Sequence, residues 1–184
     1  AGEGAYVRYE MWLRGVESDR AGLVGLSGSF FAARREVCEE DWDIYSPSDF
    51  NTALNSARKG LVAVTAPDVL GYYHDVADAS TEYQRKIRTN IRGLTALSRH
   101  AEVLNPFRFG WFSFQVFGHK LMRWAVPWFQ ILLFVTSVLL AGKGTIYSLA
   151  LLAQLLFYGV VIAGHYKPEL RERTVFKIPY FFVQ

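Results

Sequence analysis

The sequence predicts an α/β region in the first half of the chain and a membrane-spanning helical hairpin in the second half. In the first half, segments with helical periodicity alternate with short, β-branched apolar segments, which is the order of an α/β fold. The second half contains two uncharged apolar stretches of about 20 residues, the length of a helix that crosses a bilayer. The apolar fraction of 51% and the aromatic fraction of 16% are high for a soluble domain.

The elements of the first half follow from local patterns. Residues 6–14 have helical spacing of apolar side chains, and residues 50–58 predict a second helix that ends at Gly60. Glycines divide the apolar residues of segment 21–37, so we expect two buried strands that meet at a tight turn. Segment 61–69, "LVAVTAPDV", alternates and is β-branched, so it predicts a strand.

A longer amphipathic helix is predicted from Thr81 to Arg99. On a helical projection, one side is basic and the opposite side is apolar. The basic side consists of Arg85, Arg88, Arg92 and Arg99. From periodicity alone, this pattern is typical of a surface helix with a solvated basic face.

The two apolar stretches predict a hairpin of membrane-spanning helices. They are "WAVPWFQILLFVTSVLLAG" (residues 124–142) and "GTIYSLALLAQLLFYGVVIAG" (residues 144–164), with Lys143 between them. Helices of a soluble core normally keep a polar stripe, and neither stretch has one. Basic residues are more numerous on the outer flanks than in the turn, so we expect both flanks to be cytoplasmic. These flanking residues are His119, Lys120, Arg123, Lys167, Arg171, Arg173 and Lys177.

Segment 105–124 combines many aromatic residues with scattered basic residues. Aromatic rings and cations of this kind favour the headgroup region of a membrane, so we expect one or two helices on the cytoplasmic surface. The alternative, that the segment only leads into the first membrane span, stays open.

Several features exclude or weaken other classes of site. The net charge of +3 is too small to indicate a nucleic-acid-binding protein. The single Cys38 excludes an internal disulfide and a cysteine-based structural metal site. The acidic residues from Glu39 to Asp43 lack the spacing of metal ligands and are interpreted as a solvated loop. His74 is interpreted as an ordinary loop histidine.

Five segments, in this order, resemble one known family. They are "EGAYVRYEMWLR", "GLSGSFFAARREV", "PSDFNTALNSARKG", "YQRKIRTNIRGL" and "GHKLMRWAVPWF". Together they resemble the membrane-integrated bacterial glycosyltransferases of family 2, which are related to cellulose and hyaluronan synthases. The resemblance covers most of residues 3–129, and it implies that the α/β region is the C-terminal part of an A-type glycosyltransferase domain.

The resemblance assigns Asp49 as the catalytic base, with Ser48 where the family often has Glu. A base of this kind takes a proton from the acceptor hydroxyl while that hydroxyl attacks the sugar carbon. The family implies a single displacement, hence inversion at that carbon and release of a nucleoside diphosphate. Gly28 and Ser29 match the family's glycine-serine segment beside the acceptor, where small residues allow the backbone to approach a sugar closely.

The arginine helix acquires a second interpretation from the resemblance. Processive members of the family carry Gln-x-x-Arg-Trp at this place, whereas this chain has Arg85 for Gln and Thr89 for Trp. Arg88 keeps the cation expected to bind the donor's pyrophosphate, and we expect Arg85 and Arg92 to contribute to substrate binding. Arg85 and Arg92 could equally face lipid phosphates. The missing Trp favours transfer of one or a few sugars.

The resemblance also implies a divalent cation, Mg²⁺ or Mn²⁺, held by an Asp-x-Asp motif. The triplet "DWD" at 41–43 has the right letters in the wrong place, so we expect the motif to precede residue 1 and no metal site in this sequence. The chain begins without Met and ends within an apolar run, which we interpret as a fragment that is inactive alone.

The predicted organisation is therefore a cytoplasmic glycosyltransferase part (1–104), interface helices (105–123), a membrane hairpin (124–164) and a further segment that begins another helix (165–184). The expected protein is a multi-pass enzyme of the bacterial inner membrane. Its expected partners are a nucleotide-sugar donor, a lipid-linked or glycan acceptor, membrane lipids, and a second copy or partner subunit. Two alternatives stay open: a processive exopolysaccharide synthase that also translocates its polymer, and a non-catalytic membrane scaffold.

Overall fold

The computed structural model describes residues 2–39, 43–69 and 79–183. The chain divides into two compact units, Glu3–Trp124 and Ala125–Gln184. Segment 105–124, for which the sequence predicts interface helices, belongs to the first of these units.

The first unit is helical. It contains α1 (Gly2–Arg20), α2 (Arg35–Glu39), α3 (Ser48–Arg58), α4 (Ala79–Arg99), a 3₁₀ turn (Ala101–Leu104), α5 (Pro106–Phe109), α6 (Trp111–Val116) and a π-helical turn (Phe117–Leu121). The three helices predicted within it are confirmed as α1, α3 and α4. Gly60 ends α3 in the left-handed region, at a φ of +72°, where glycine avoids the steric cost of a side chain.

Helix α3 lies at the centre of this unit, because its residues from Phe50 to Ser56 are all buried. Phe50 and Leu54 pack in the main core with residues of the preceding loop, α4, the 3₁₀ turn and α6. Those residues are Val24, Ala96, Leu97, Val103, Phe112 and Val116. Ala53 packs on the other side with Leu23 and Leu26.

The predicted α/β fold is wrong, because the described residues are helical and contain no strand. Segment 61–69 has no helix, but a strand also requires a neighbouring backbone ladder. Leu23 N donates to Ala63 O at 2.8 Å, while Thr65 N donates to the side chain of Ser18 instead. Alternation in this segment therefore corresponds to irregular chain with a turn at residues 67–68, without a sheet.

The strand pair predicted for 21–37 is also absent. Its backbone carbonyls at Gly25 and Leu26 accept hydrogen bonds from the Arg14 guanidinium, both at 2.8 Å. The segment is a loop as far as Arg34 and then forms α2. These two carbonyls therefore accept hydrogen bonds from a side chain, and not from the backbone of a neighbouring strand.

Segment 105–124 is helical with two different faces. Phe112, Ser113 and Val116 are buried in the core of the first unit. The opposite face exposes aromatic rings at Phe107, Trp111, Phe114 and Phe117. The prediction of helices here is confirmed, and their contact with a membrane surface stays a prediction.

Helix α7 (Met122–Leu140) begins at the end of the first unit and continues into the second, which also contains α8 (Thr145–Tyr166), a 3₁₀ turn (Pro168–Glu172) and α9 (Thr174–Val183). The continuous helical run Trp111–Leu140 and the helix Thr145–Tyr166 are long and apolar enough to cross a membrane, with mean hydropathies of 1.5 and 2.1. Because Phe112 and Val116 pack in the first unit, we take the spanning part of the first run to begin at Ala125. The two apolar helices support a membrane protein.

A side-chain hydrogen bond and an aromatic contact join the two apolar helices. Gln154 Nε2 donates to Ser137 Oγ at 2.9 Å, and the rings of Phe134 and Tyr158 meet edge to face at 6.0 Å. Gly142, at a φ of +83°, forms the turn between the helices. The predicted hairpin of helices is therefore present.

Candidate functional site

Asp49 lies in the first turn of α3. Pro47, just before the helix, is extended with φ −67° and ψ 130°, so the chain enters the helix abruptly. The next seven residues are buried, whereas Asp49 itself is half-buried. The buried helix thus presents one carboxylate at its accessible N-terminal end, where the helix dipole favours negative charge.

A glycine loop, Gly25–Gly28, passes beside this carboxylate. A methyl group at Gly28 would lie 3.6 Å from Asp49 Oδ2, so the backbone of Gly28 is close to the carboxylate. Leu26 N donates to Asp49 O at 3.3 Å, and Arg14 binds the carbonyls of Gly25 and Leu26. The loop is therefore fixed from two sides, and the structure brings Gly28 and Asp49 together.

Lys120, from the π-helical turn, is a second cation beside the glycine loop, in addition to Arg14. A methyl group at Gly25 would lie 3.1 Å from Lys120 Nζ, and Nζ also lies 5.4 Å from the centre of the Phe50 ring. Burial lowers the pKa of Lys120, and attraction to the Asp49 carboxylate partly opposes that effect. Gly25 and Gly28 thus leave room for the ammonium and for the carboxylate, respectively.

A network of charged side chains lies next to Lys120. His119 Nδ1 is 2.5 Å from Oε1 of buried Glu17, and His119 Nε2 is 3.4 Å from Glu10 Oε2. Arg123 binds the other oxygen of Glu10 at 2.9 Å. The carboxylate of Glu17 also accepts a long hydrogen bond of 3.5 Å from Val24 N, next to the glycine loop. This network connects α1 to the turn that holds Lys120.

The predicted substrate-binding Arg92 holds the loop that precedes Asp49. Its guanidinium donates to the carbonyls of Ile44, Tyr45 and Ser46, at 3.0, 3.3 and 2.7 Å. Three carbonyls together use much of the hydrogen-bonding capacity of one guanidinium. Arg92 therefore helps to set where α3 begins.

Asp43 stabilises the same loop. It accepts hydrogen bonds from the Ser46 hydroxyl at 2.6 Å and from Tyr45 N at 2.9 Å, and it forms an ion pair with Arg99. The Ser46 hydroxyl, followed by the Tyr45 amide, lowers the pKa of Asp43. Arg92 and Arg99 of the basic face of α4 thus bind protein groups, so that face is more than a solvated stripe.

The other predicted substrate-binding residues are exposed. Arg85 and Arg88 lie on the exposed part of α4, towards its N-terminal end, and Ser29 is exposed just after the glycine loop. Backbone N–H groups of Ser29 and Phe30 approach Ser27 Oγ at 3.4 and 3.3 Å, which stabilises the turn. Ser29 follows Gly28 directly in the chain.

The described residues provide no cluster of three or more His, Cys, Asp or Glu side chains able to hold a metal ion. The Mg²⁺ or Mn²⁺ expected for the full enzyme is therefore not assigned to this part of the chain. Asp41 of the "DWD" triplet and His74 lie outside the described residues.

Two residues of the site were missed from the sequence, Lys120 and Arg14. Both are far from Asp49 in the chain, and each occurs in a segment where a basic residue has an ordinary explanation, a membrane flank or a helix surface. The available signal was the segment "GHKLMRW", in which a lysine lies among glycine and apolar residues.

The site thus pairs an accessible carboxylate with a nearby ammonium across a loop that lacks side chains at two positions. Such a pair can accept a proton from a bound hydroxyl and stabilise negative charge on its oxygen. Comparison with protein-family models, curated protein sequences and solved structures finds no match to this chain.

Proposed function

We propose that the chain is the acceptor-side part of an inverting membrane glycosyltransferase, with Asp49 as the general base. The observation that supports this function best is the accessible carboxylate of Asp49 beside the side-chain-free backbone of Gly28. The proposal rests on this arrangement and on the resemblance of the motifs, and not on the α/β fold, which the chain lacks in its described residues.

The proposed reaction is a single displacement. An acceptor hydroxyl gives its proton to the Asp49 carboxylate while its oxygen forms a bond to the anomeric carbon of the donor sugar. The bond from that carbon to the nucleoside diphosphate breaks, and the diphosphate leaves with the electron pair. Attack opposite the leaving group inverts the carbon. Gly28 leaves space for the acceptor to reach the carboxylate.

The membrane hairpin suggests where the acceptor comes from. Two apolar helices that expose side chains such as Leu139 (69%) and Ile146 (73%) are suited to lipid rather than to water. We propose a bacterial inner-membrane protein with the first unit in the cytoplasm, where nucleotide sugars are made. A lipid-linked or growing glycan acceptor would then be available next to the enzyme.

The test uses the full-length protein in detergent or membranes. Wild type and Asp49→Asn are incubated with a panel of nucleotide sugars, a native lipid extract, and Mg²⁺ or Mn²⁺, and release of nucleoside diphosphate is measured. Because general-base catalysis contributes about 10² to 10⁴ in rate, Asp49→Asn should lower turnover at least about 100-fold. Nucleotide binding should remain close to that of wild type.

Asp68→Asn is the matched control, because Asp68 is an exposed aspartate of the same unit, in the turn at residues 67–68. It should release diphosphate at the wild-type rate. Full activity of Asp49→Asn would remove Asp49 from the mechanism, and no release from any donor would favour the scaffold. Product length from the same reaction distinguishes single transfer from polymerisation.

A further inference from the structure

Lys120 has an environment that its role in the fold does not explain. Its ammonium lies close to buried Gly25, because a methyl group at Gly25 would be 3.1 Å from Lys120 Nζ. The ammonium also lies beside the Phe50 ring. In the described part of the chain, it donates no hydrogen bond to a protein acceptor. An ammonium carries three donors, and that of Lys120 is not among the fully buried polar atoms that lack a partner in the described residues, so a bound group can reach it.

The neighbouring basic residues differ from Lys120 in this respect. His119 contacts Glu17 and Glu10, and Arg123 contacts Glu10. These carboxylates and Asp49 all act on Lys120 electrostatically, yet none of them lies within the 4.0 Å of an ion pair with its ammonium. The Lys120 ammonium is thus attracted to the Asp49 carboxylate without forming an ion pair with it.

The turn that carries Lys120 adds a second observation. Phe117–Leu121 is π-helical, between α6 and α7. Single π turns within helices are rare, and they occur frequently at functional sites because they change the direction of side chains. Here the turn holds Lys120 on the side of the glycine loop, while His119 contacts α1.

We propose that Lys120 donates a hydrogen bond to the acceptor hydroxyl whose proton Asp49 accepts, so that the two side chains hold one oxygen atom between them. This inference rests on the proposed glycosyl transfer and names the acceptor side of the same site. A hydroxyl suits the position because it accepts from Lys120 and donates to Asp49 at the same time. A phosphate would be repelled by the adjacent carboxylate.

The lysine keeps its proton throughout this step. When the acceptor O–H bond breaks towards Asp49 ahead of the new bond from oxygen to the anomeric carbon, partial negative charge develops on the oxygen, while the diphosphate takes the electron pair of the broken bond. The ammonium stabilises that charge in the transition state, as donors of an oxyanion hole do. Lys120 thus acts on the acceptor oxygen, while the leaving diphosphate is stabilised elsewhere.

The test compares Lys120→Met, Lys120→Gln and wild type in the full-length protein. Diphosphate release is measured against increasing native lipid extract at saturating nucleotide sugar, together with the thermal unfolding midpoint. Loss of one such donor typically lowers kcat about 10²- to 10³-fold, so we expect Lys120→Met to lower kcat/KM for the acceptor by about 100-fold. Lys120→Gln, which keeps an N–H donor, should recover part of the loss.

Stability separates this role from a structural one. Because methionine has no buried charge, Lys120→Met should unfold at the same temperature as wild type or higher. Lys167→Met, which removes an exposed lysine of the second unit, controls for the lost charge and should change neither quantity.

Three outcomes would overturn the inference. Wild-type activity in Lys120→Met would exclude Lys120 from acceptor binding while leaving Asp49 as the base. An unchanged acceptor dependence with weaker nucleotide-sugar binding would place the lysine on the donor. Absence of release by wild type from every donor would overturn the proposed function and this inference together.

Discussion

At the scale of single residues, the proposed mechanism predicts that Gly28 limits how closely an acceptor can approach Asp49. A methyl group at Gly28 would lie 3.6 Å from Asp49 Oδ2, which is ordinary van der Waals contact, so Gly28→Ala should fold normally. The same methyl group would occupy space that the acceptor needs. We expect about a tenfold lower kcat/KM for the acceptor in Gly28→Ala, since misplacement by about 1 Å can cost up to 10²-fold.

Gly15→Ala is the control for this substitution. Gly15 lies within α1, and a methyl group there has no atom within 4 Å. Alanine should stabilise the helix by roughly 0.5–1 kcal/mol and leave transfer unchanged. Equal transfer by Gly28→Ala and wild type, measured as diphosphate release, would show that the acceptor does not pass Gly28.

Asp49 and Gly28 were selected because their segments, together with three others, resemble one family, and their roles stay predictions. Lys120 could not be selected in this way, because its proximity depends on packing between elements separated by more than 70 residues in the chain. Arg92 was selected as a substrate ligand, but its three carbonyl partners belong to a loop whose path no local pattern specifies. The sequence can place a residue in a motif, but it cannot show which distant residues pack beside it.

At the scale of elements, helices were predictable and strands were not. Helices α3 and α4 satisfy their backbone hydrogen bonds internally, so their periodicity is sufficient to define them. A strand obtains its hydrogen bonds from another segment. Segment 61–69 has the alternation of a strand, but Thr65 N binds the Ser18 hydroxyl instead of a parallel or antiparallel neighbour. The alternation therefore predicted a strand that the structure does not contain in this segment.

The hairpin of α7 and α8 allows a prediction about one interhelical hydrogen bond. Gln154 Nε2 donates to Ser137 Oγ at 2.9 Å, and Gln154 Oε1 is buried without a partner among the described residues. Hydrogen bonds between membrane helices contribute about 0.6 kcal/mol on average and up to about 1.7. Ser137→Ala should therefore lower the free energy of unfolding by about that amount in detergent.

A double-mutant cycle with Gln154→Leu measures the pair itself. Leucine removes the unsatisfied amide oxygen, so Gln154→Leu alone should be close to neutral, and Ser137→Ala should cost little in its presence. Thr136→Ala is the matched control, because the Thr136 hydroxyl bonds only to carbonyls of its own helix, Leu132 O and Leu133 O, in the recorded contacts. Additive effects at 137 and 154 would exclude coupling.

At the scale of the whole molecule, the distribution of charge predicts topology. Lys143 lies in the turn between the two apolar helices, whereas Lys167, Arg171, Arg173 and Lys177 follow the second helix. Arg171 donates to Gly164 O at 2.6 Å and to His165 O at 3.0 Å, so it also satisfies carbonyls at the end of α8. An excess of basic residues marks the cytoplasmic side of membrane helices.

We therefore expect the hairpin turn to face away from the cytoplasm and Cys38 to face it. Cys38 is the single cysteine of the sequence and is partly exposed, so it reports on the first unit directly. In spheroplasts, a membrane-impermeant maleimide should label Lys143→Cys in a Cys38→Ser background, and should label Cys38 of the otherwise unchanged chain only after permeabilisation. Lys177→Cys in the same background should behave like Cys38.

Labelling of Cys38 in intact spheroplasts would reverse the topology and separate Asp49 from cytoplasmic nucleotide sugars. Labelling at none of the three positions before permeabilisation would contradict a spanning hairpin.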